Sequence, residues 1–314
     1  MKSIRLGKSS VACSRLAYGC WRIAGTPGSA VQNTDREAAG RAAVIAAYEA
    51  GYTLFDHADI YSKGLAETIF GQVLSQIPGM RERVVIATKC GVRRPGEPGS
   101  NIPYRYDFSR EHILDSCEGS LKRMGVDCID LYMLHRPDYL MEPEEVAAAF
   151  AQLKEQGKVR EFGVSNFLPS QLLTLQSACP MPLIANQVEI SLWQLDRFND
   201  GTLDQCVRDK IVPLAWSPLA GGRLVSTVGV DMQDPEHARK FRIADTLDAL
   251  ARDKGVSRVA VALAWLMRAP AGIVPIVGST NPDHIRAAAL ADTVGLSREE
   301  WYRLMEAAHG RRLP

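Results

Sequence analysis

TLFDHADIY, residues 53–61, decides the reading of this chain. A short apolar run, Leu54 and Phe55, ends on Asp56; a polar connection follows, and Tyr61 stands five residues beyond the acid. A β-strand that runs into its loop at Asp56 carries a carboxylate to its carboxyl end, with a phenol just past it. Two later apolar runs end in the same way: VVIATK (84–89) on Lys89 and IDLYMLH (129–135) on His135. An acid, a phenol, an amine and an imidazole then project from successive strand tips. In an α/β barrel that carboxyl rim is where catalytic residues gather.

Outward from this stretch the chain alternates short apolar runs with amphipathic segments. The expected strands are 16–20, 53–57, 84–89, 129–135, 160–165, 183–189, 212–217 and 272–278. The expected helices are 34–50, 65–75, 109–124, 143–156, 169–177, 201–209, then 240–254 or 257–268, and 282–290. Alternating strands and helices give parallel β/α units, and eight of them predict one closed (β/α)8 TIM barrel rather than an open sheet. Ser109 is placed to cap a helix, Pro169 and Pro282 suit first helical turns, and Gly157 suits a helix end. Residues 1–16, turning at Gly7, predict a β-hairpin plugging the amino-terminal end of the barrel. Ser297 with Glu300 makes a capping box, so residues 297–308 predict an extra C-terminal helix. Two connections are long, 90–108 and 218–238. Loops of that length inside a compact domain are usually functional.

Length alone admits two domains, but barrels of roughly 200 to over 400 residues form single units, so residues 1–314 are read as one domain. The 46% hydrophobic and 23% charged composition is that of a globular protein, and 37 basic against 36 acidic residues leave a net charge of +1. That balance offers no basic face for nucleic acid; Arg93–Arg94 and Arg311–Arg312 read as solvated surface. No apolar stretch reaches the roughly 18 residues of a membrane span, and MKSIRLGKSS has no signal-peptide pattern. Seven cysteines without a C-x-x-C pair predict a reducing, cytoplasmic setting. Cys90 follows Lys89, a cation able to lower a thiol pKa, but reads as a bystander.

Several chemistries are missing from the sequence. There is no G-x-G-x-x-G after a strand, no Walker loop, no H-E-x-x-H and no G-x-S-x-G. The six histidines (57, 112, 135, 237, 284 and 309) lack metal-ligand spacing, so no metal is expected. The four rim groups suit proton transfer to a carbonyl oxygen. A phenol with a pKa of about 10 is a tunable acid. The Lys89 ammonium beside Tyr61 is expected to lower that value, Asp56 to anchor Lys89 as an ion pair, and His135 to orient the oxygen. Any one such residue at a strand end reads more simply as a cap or surface group; four at matching ends do not.

These residues sit in blocks that resemble the aldo-keto reductase family over nearly the whole chain. The blocks are DHADIY (56–61), ATKCG (87–91), LHRPD (134–138), GKVREFGVSNF (157–167), NQVEISL (186–192), LAWSPLAGGRL (214–224) and VPIVGST (274–280). DHADIY with GTLDQ (201–205) and a short C-terminus is most similar to its bacterial YdhF-like branch. The resemblance implies a catalytic tetrad of Asp56, Tyr61, Lys89 and His135, with Tyr61 the proton donor. It also implies a nicotinamide dinucleotide, NADP(H) with NAD(H) as an alternative, extended across the rim. Gly19, Cys20 and Trp21 would line the nicotinamide end, and Ser165, Asn166 and Gln187 would bind its carboxamide. Trp216 would stack on the ring, where the family more often has Tyr. Ser217, Pro218, Leu219 and Gly222 would wrap the pyrophosphate. Gly278, Ser279, Thr280, Asn281 and His284 would meet the adenosine ribose and its phosphate.

One departure concerns the last group. Gly278 stands where the family often has Lys, and His284 where it often has Arg; Arg286 is two positions on, pointing elsewhere on a helix. The expected substrate is a small aldehyde or ketone lined by Trp21, Ile60, Tyr104 and Tyr106, with Trp193 a weaker candidate, in a pocket left open by the short tail after Ala308. The expected assembly is a monomer or weak homo-oligomer. Two alternatives keep the barrel: a cofactor-sensing regulatory subunit with little turnover, and a Schiff-base aldolase using Lys89, which leaves Tyr61 and Gln187 without a role.

Overall fold

The computed structural model describes residues 1–25, 34–226 and 233–313. In chain order, β1 (Ser3–Arg5) and β2 (Ala12–Ser14) form an antiparallel hairpin. Then come β3 (Ala17–Gly19), α1 (Thr34–Glu49), β4 (Leu54–Asp56), α2 (Leu65–Gln76) and β5 (Val85–Cys90). A second hairpin, β6 (Val92–Arg93) with β7 (Arg105–Tyr106), precedes α3 (Arg110–Met124). The chain continues through β8 (Ile129–Leu134), α4 (Pro143–Glu155), β9 (Val159–Ser165), α5 (Pro169–Ala178), β10 (Leu183–Glu189), α6 (Thr202–Asp209) and β11 (Val212–Trp216). It ends with α7 (Pro235–Lys254), α8 (Arg258–Met267), β12 (Val274–Val277), α9 (Pro282–Ala289) and α10 (Arg298–His309).

Strands β3, β4, β5, β8, β9, β10, β11 and β12 close a parallel barrel in that order. The eight-unit expectation is therefore met. Successive residues in a strand face opposite sides. Leu54, Val85, Ala87, Leu131, Met133, Ala185, Leu214 and Val274 fill the barrel, while Phe55, Ile86, Tyr132 and Phe162 pack outward in the layer shared with the helices. Continuing the inward register toward the carboxyl ends brings up Asp56, Lys89, His135, Ser165, Gln187 and Trp216. The rim side chains are thus fixed by the same alternation that fills the core.

The first hairpin joins the barrel's interior cluster through Leu6 and Cys13. Ser14 and Thr53 exchange hydrogen bonds of 2.7 and 2.9 Å at the start of β4, which seats the hairpin on the amino-terminal end. At the carboxyl end of the chain, the capping box Ser297–Glu300 opens α10. Trp301 there stacks on Trp265 of α8 at 5.1 Å, and each indole donates to the other's carbonyl.

Two expectations change. Residues 240–254 and 257–268 are both helical rather than one or the other. Asp234 caps α7, Gly255 reverses the chain in the left-handed region, and Ser257 caps α8. The long 90–108 connection carries a short antiparallel pair, β6 with β7, that the sequence reading did not foresee. Of the connection after β11, residues 227–232 lie outside the described residues. Among the described residues no helix is long and apolar enough to cross a membrane.

Candidate active site

Asp56 is the last residue of β4, Lys89 lies next to the end of β5, and His135 follows β8 directly. These three strands are neighbours in the barrel. Lys89 is fully buried, and its ammonium donates to Asp56 Oδ1 at 2.7 Å and to the His57 carbonyl at 2.6 Å. Gln187 Nε2 donates to the same Oδ1 at 2.7 Å from across the barrel. A buried ion pair is costly unless its remaining groups are hydrogen-bonded; this one is closed by a carbonyl and an amide.

Tyr61 stands over this pair. Its backbone amide donates to Ala58, and the chain then turns through Ser62, Lys63 and Gly64, all at positive φ, before α2 begins. Left-handed backbone costs roughly 1–2 kcal/mol for a non-glycine residue. Gly64 suits this left-handed position, and a Cβ there would lie 2.5 Å from Arg123 Cδ, so Arg123 would have to shift. The turn leaves the Tyr61 ring centre 5.2 Å from Lys89 Nζ and 5.9 Å from the His135 ring, edge-on to the latter. The four residues singled out by the sequence therefore meet at one place.

The electrostatics modify the expectation for the phenol. Lys89 makes its hydrogen bonds to Asp56 and His57, not to Tyr61. Burial pushes Tyr61 well above its ordinary value, the Asp56 carboxylate and Cys20 push the same way, and Arg136 opposes them. The phenol is thus a firmly protonated donor rather than a half-ionised one. Burial likewise lowers His135 far below the usual imidazole range, helped by the Lys89 and Arg136 charges. Its ring is neutral, and its Nδ1 is buried without a hydrogen-bond partner. Burial lowers Lys89 too, while Asp56 holds it up. Cys90 is inert: burial raises its thiol well above the ordinary value.

Beside the tetrad runs a polar ring. Asn166 follows β9 at φ 63°, a conformation Asn tolerates better than most residues. Its amide donates to Ser165 Oγ at 2.8 Å and to the His135 carbonyl at 3.2 Å, and its oxygen accepts from Trp216 Nε1 at 3.0 Å. Ser165 donates to the Gln187 carbonyl at 2.8 Å. Gly19 ends β3, the neighbour of β4, and Cys20 and Trp21 follow it in a 3-10 turn; Cys20 is buried and Trp21 is 45% exposed. Ser217, at φ 48°, opens the turn through Pro218, Leu219 and Gly222, in which the Ala220 and Gly222 amides donate to Ser217 and Leu219 carbonyls. Gly278 follows β12 beside Gly19, and a Cβ on it would meet nothing nearer than 4.0 Å. Ser279 accepts from Tyr18 through its carbonyl, Thr280 follows, and Asn281 caps α9 at the Asp283 and His284 amides. His284 is exposed, and Arg286 pairs with Asp283. Ile60 is half-buried next to Tyr61, and Tyr104 stacks edge-on against Tyr106 in the second hairpin, 5.8 Å away.

The chain matches the Aldo/keto reductase family over residues 15–309. It belongs to that family. A 6-dehydroglucose reductase of Novosphingobium aromaticivorans is 41% identical, covering 99% of this chain and 96% of its own. Oxidoreductase YdhF of Escherichia coli is 41% identical, covering 84% of this chain and 85% of its own, in keeping with the YdhF-like resemblance. Among solved structures, the glycerol dehydrogenase of Gluconobacter oxydans superposes with a TM-score of 0.85 at 27% identity, covering 98% of this chain and 95% of the other. A thermostable aldo-keto reductase in complex with the inhibitor epalrestat superposes at 0.82, with 26% identity and 98% and 100% coverage. As a family member with reductase and dehydrogenase relatives, the chain is an oxidoreductase of carbonyl compounds.

Sequence reasoning missed four features. The His57 carbonyl serves as a second anchor for Lys89, and nothing in a side-chain pattern announces a backbone acceptor. Gln187 reaches Asp56 across the barrel. Arg136 lies over the Trp216 ring at 5.4 Å. Behind Tyr61, Glu67 is buried between Thr88, at 2.6 Å, and Arg123, at 2.7 Å, close enough to raise the Asp59 carboxyl. The alternation of β8 and β10 offered a clue to the inward residues, but none to the Glu67 cluster. Among the described residues no group of His, Cys, Asp and Glu is arranged to hold a metal.

Proposed function

We propose that this chain reduces aldehydes or ketones to alcohols with NADPH, with Tyr61 as the general acid. The observation that carries the reading is the buried Asp56–Lys89–Gln187 group with the Tyr61 and His135 rings meeting above it. The carbonyl oxygen sits between the Tyr61 hydroxyl and the neutral His135 imidazole, which donates a hydrogen bond to it. A bound reduced nicotinamide supplies the hydride. Tyr61 gives its proton to the oxygen as the alcohol forms and regains one from solvent. Lys89 stabilises the transient phenolate at short range, and Asp56 keeps that ammonium charged and in place. A Schiff base on Lys89 would disrupt its hydrogen bonds to Asp56 and His57 and leave Tyr61 and Gln187 without a role.

The residues present fit such a cofactor. Gly278, Gly221 and Gly222 have open space where a side chain would intrude, which favours close backbone approach. Ser165, Asn166 and Gln187 would hold the carboxamide, Gly19, Cys20 and Trp21 would flank the ring, and Trp216 would stack on it. Ser217, Pro218, Leu219 and Gly222 would receive the pyrophosphate, and Ser279, Thr280, Asn281 and His284 the adenosine ribose phosphate. Ile60, Trp21, Tyr104 and Tyr106 would line the substrate. The relatives named for 6-dehydroglucose and glycerol put an oxidised sugar and an oxidised polyol among the carbonyls to try.

The test is NADPH oxidation by the purified protein with 4-nitrobenzaldehyde, and with NADH at matched concentration. Turnover that is faster with NADPH supports the reading. Tight NADPH binding with no oxidation of any carbonyl would favour the cofactor-sensing alternative, and faster turnover with NADH would overturn the cofactor assignment.

A further inference from the structure

Two charged side chains at the rim carry hydrogen-bonding capacity that no described residue uses. Arg136 is half-buried, and the contact the structure gives its guanidinium is the Trp216 ring. Glu189 closes β10, is half-buried, and stands opposite Trp216 in the β10–β11 register. Alternation along β10 puts Glu189 on the same inward side as Gln187, one layer nearer the mouth. The charge of Arg136 is felt by Tyr61, His135, Tyr104 and Glu189, so it stands among the proton donor, the orienting imidazole and the second hairpin. Among the described residues neither group makes a side-chain hydrogen bond or an ion pair.

Arginine offers only donors and an ionised carboxylate only acceptors. A ligand that satisfies both at once has to donate and accept, which is what a hydroxyl does. An anionic group would suit Arg136 but meet repulsion from Glu189, which the nearby Arg223 and Arg197 partly offset, and an ammonium would face the reverse; the anionic arm of the test below separates hydroxyl from anion recognition. An apolar carbonyl compound would cover both charges without bonding either, and a site built for hydrogen bonds rejects a ligand that lacks them. Trp21 and Tyr104, 45% and 53% exposed, add flat apolar surfaces for the C–H faces of such a ligand.

We propose that Arg136 and Glu189 are specificity-determining substrate contacts that read hydroxyl groups near the reacting carbonyl, making the substrate class polyhydroxylated aldehydes or ketones. This rests on the carbonyl-reductase reading above. The experiment measures kcat/KM by NADPH oxidation for three aldehydes: D-glyceraldehyde, propanal, which has the same carbon skeleton without hydroxyls, and succinic semialdehyde, which carries an anion. Wild type, Arg136→Met and Glu189→Gln are compared, and the NADPH Kd of each is read by fluorescence quenching.

The expected result is a wild-type preference for glyceraldehyde over propanal that falls about tenfold or more in each variant, the scale of one hydrogen bond to a charged group, with NADPH Kd held within about twofold. An unchanged preference in both variants, with turnover intact, would overturn the inference and leave the reductase reading standing. So would a tenfold-weaker NADPH Kd in Arg136→Met, which would make Arg136 a cofactor contact. A wild-type preference for succinic semialdehyde that depends on Arg136 would overturn it in favour of anion recognition. Absence of turnover with all three, and with 4-nitrobenzaldehyde, would end both readings.

Discussion

Replacing Asp56 with Asn strands a charge where water does not reach. The Lys89 side chain is fully buried, and its ammonium has two partners, Asp56 Oδ1 at 2.7 Å and the His57 carbonyl at 2.6 Å. Asp56 Oδ1 also accepts from Gln187 at 2.7 Å. An Asn would offer one neutral oxygen to two donors. Removing one side of a buried pair costs about 3–5 kcal/mol. Lysine can limit that cost by losing its proton, since burial already lowers Lys89 and Asp56 is the foremost group holding it up. In D56N the folded-state pKa of Lys89 then lies further below the unfolded value of about 10.4. Between those two values the unfolded chain binds more protons, so the variant gains stability as pH rises. At neutral pH the expected deficit is roughly 3 kcal/mol, a fall in melting temperature of about 4–5 °C for a chain of this length. The deficit should shrink as pH rises from neutral toward the unfolded lysine value of about 10.4. Far-UV circular dichroism melts across that range measure it. The double variant D56N/K89M, which removes the stranded charge, should recover most of the loss. A D56N deficit under about 1 kcal/mol, or one equal at both ends of the range, would refute the claim that Lys89 depends on Asp56 for its charge.

Tyr61→Phe should lower kcat by about 10²–10⁴ while leaving NADPH affinity nearly intact; single-turnover kinetics at wild-type rate would remove Tyr61 from the donor role. Asp59 is raised to about 7 by burial and the nearby Glu67. Its folded value exceeds its unfolded one, so its contribution to stability is full below about pH 4 and is lost as pH rises through 7. Asp59→Asn should therefore be more stable than wild type at pH above 7, by on the order of 2–4 kcal/mol, and nearly equal to it below about pH 4; urea titrations that differ by the same amount at both ends would contradict this. His284→Arg should raise the preference for NADPH over NADH about tenfold by adding a charge-assisted contact to the ribose phosphate. An unchanged ratio of kcat/KM values would place that phosphate elsewhere.

The barrel was legible because its signals are local. Apolar runs that stop at Asp56, Lys89 and His135, caps at Ser109 and Ser297, and a glycine at residue 157 each bias a few neighbouring dihedral angles, and eight such units leave little choice of topology. The same alternation that made the strands readable placed the tetrad, since inward positions at strand ends can only face the rim. What the sequence could not decide depends on distance in space rather than along the chain. Residues 240–254 and 257–268 were not alternatives: Gly255 ends one helix, Ser257 caps the next, and both pack on the core. The protonation of Tyr61 could not be read from its neighbour in the motif, because Lys89 turns to Asp56 and His57 while burial and a carboxylate dominate the phenol. Gln187 and Asp56 are separated by 131 positions and meet only when the barrel closes. Residue identity and period fixed which side chains could reach the rim; burial and through-space charge, which exist only in the folded chain, decided the partners and protonation each of them has there.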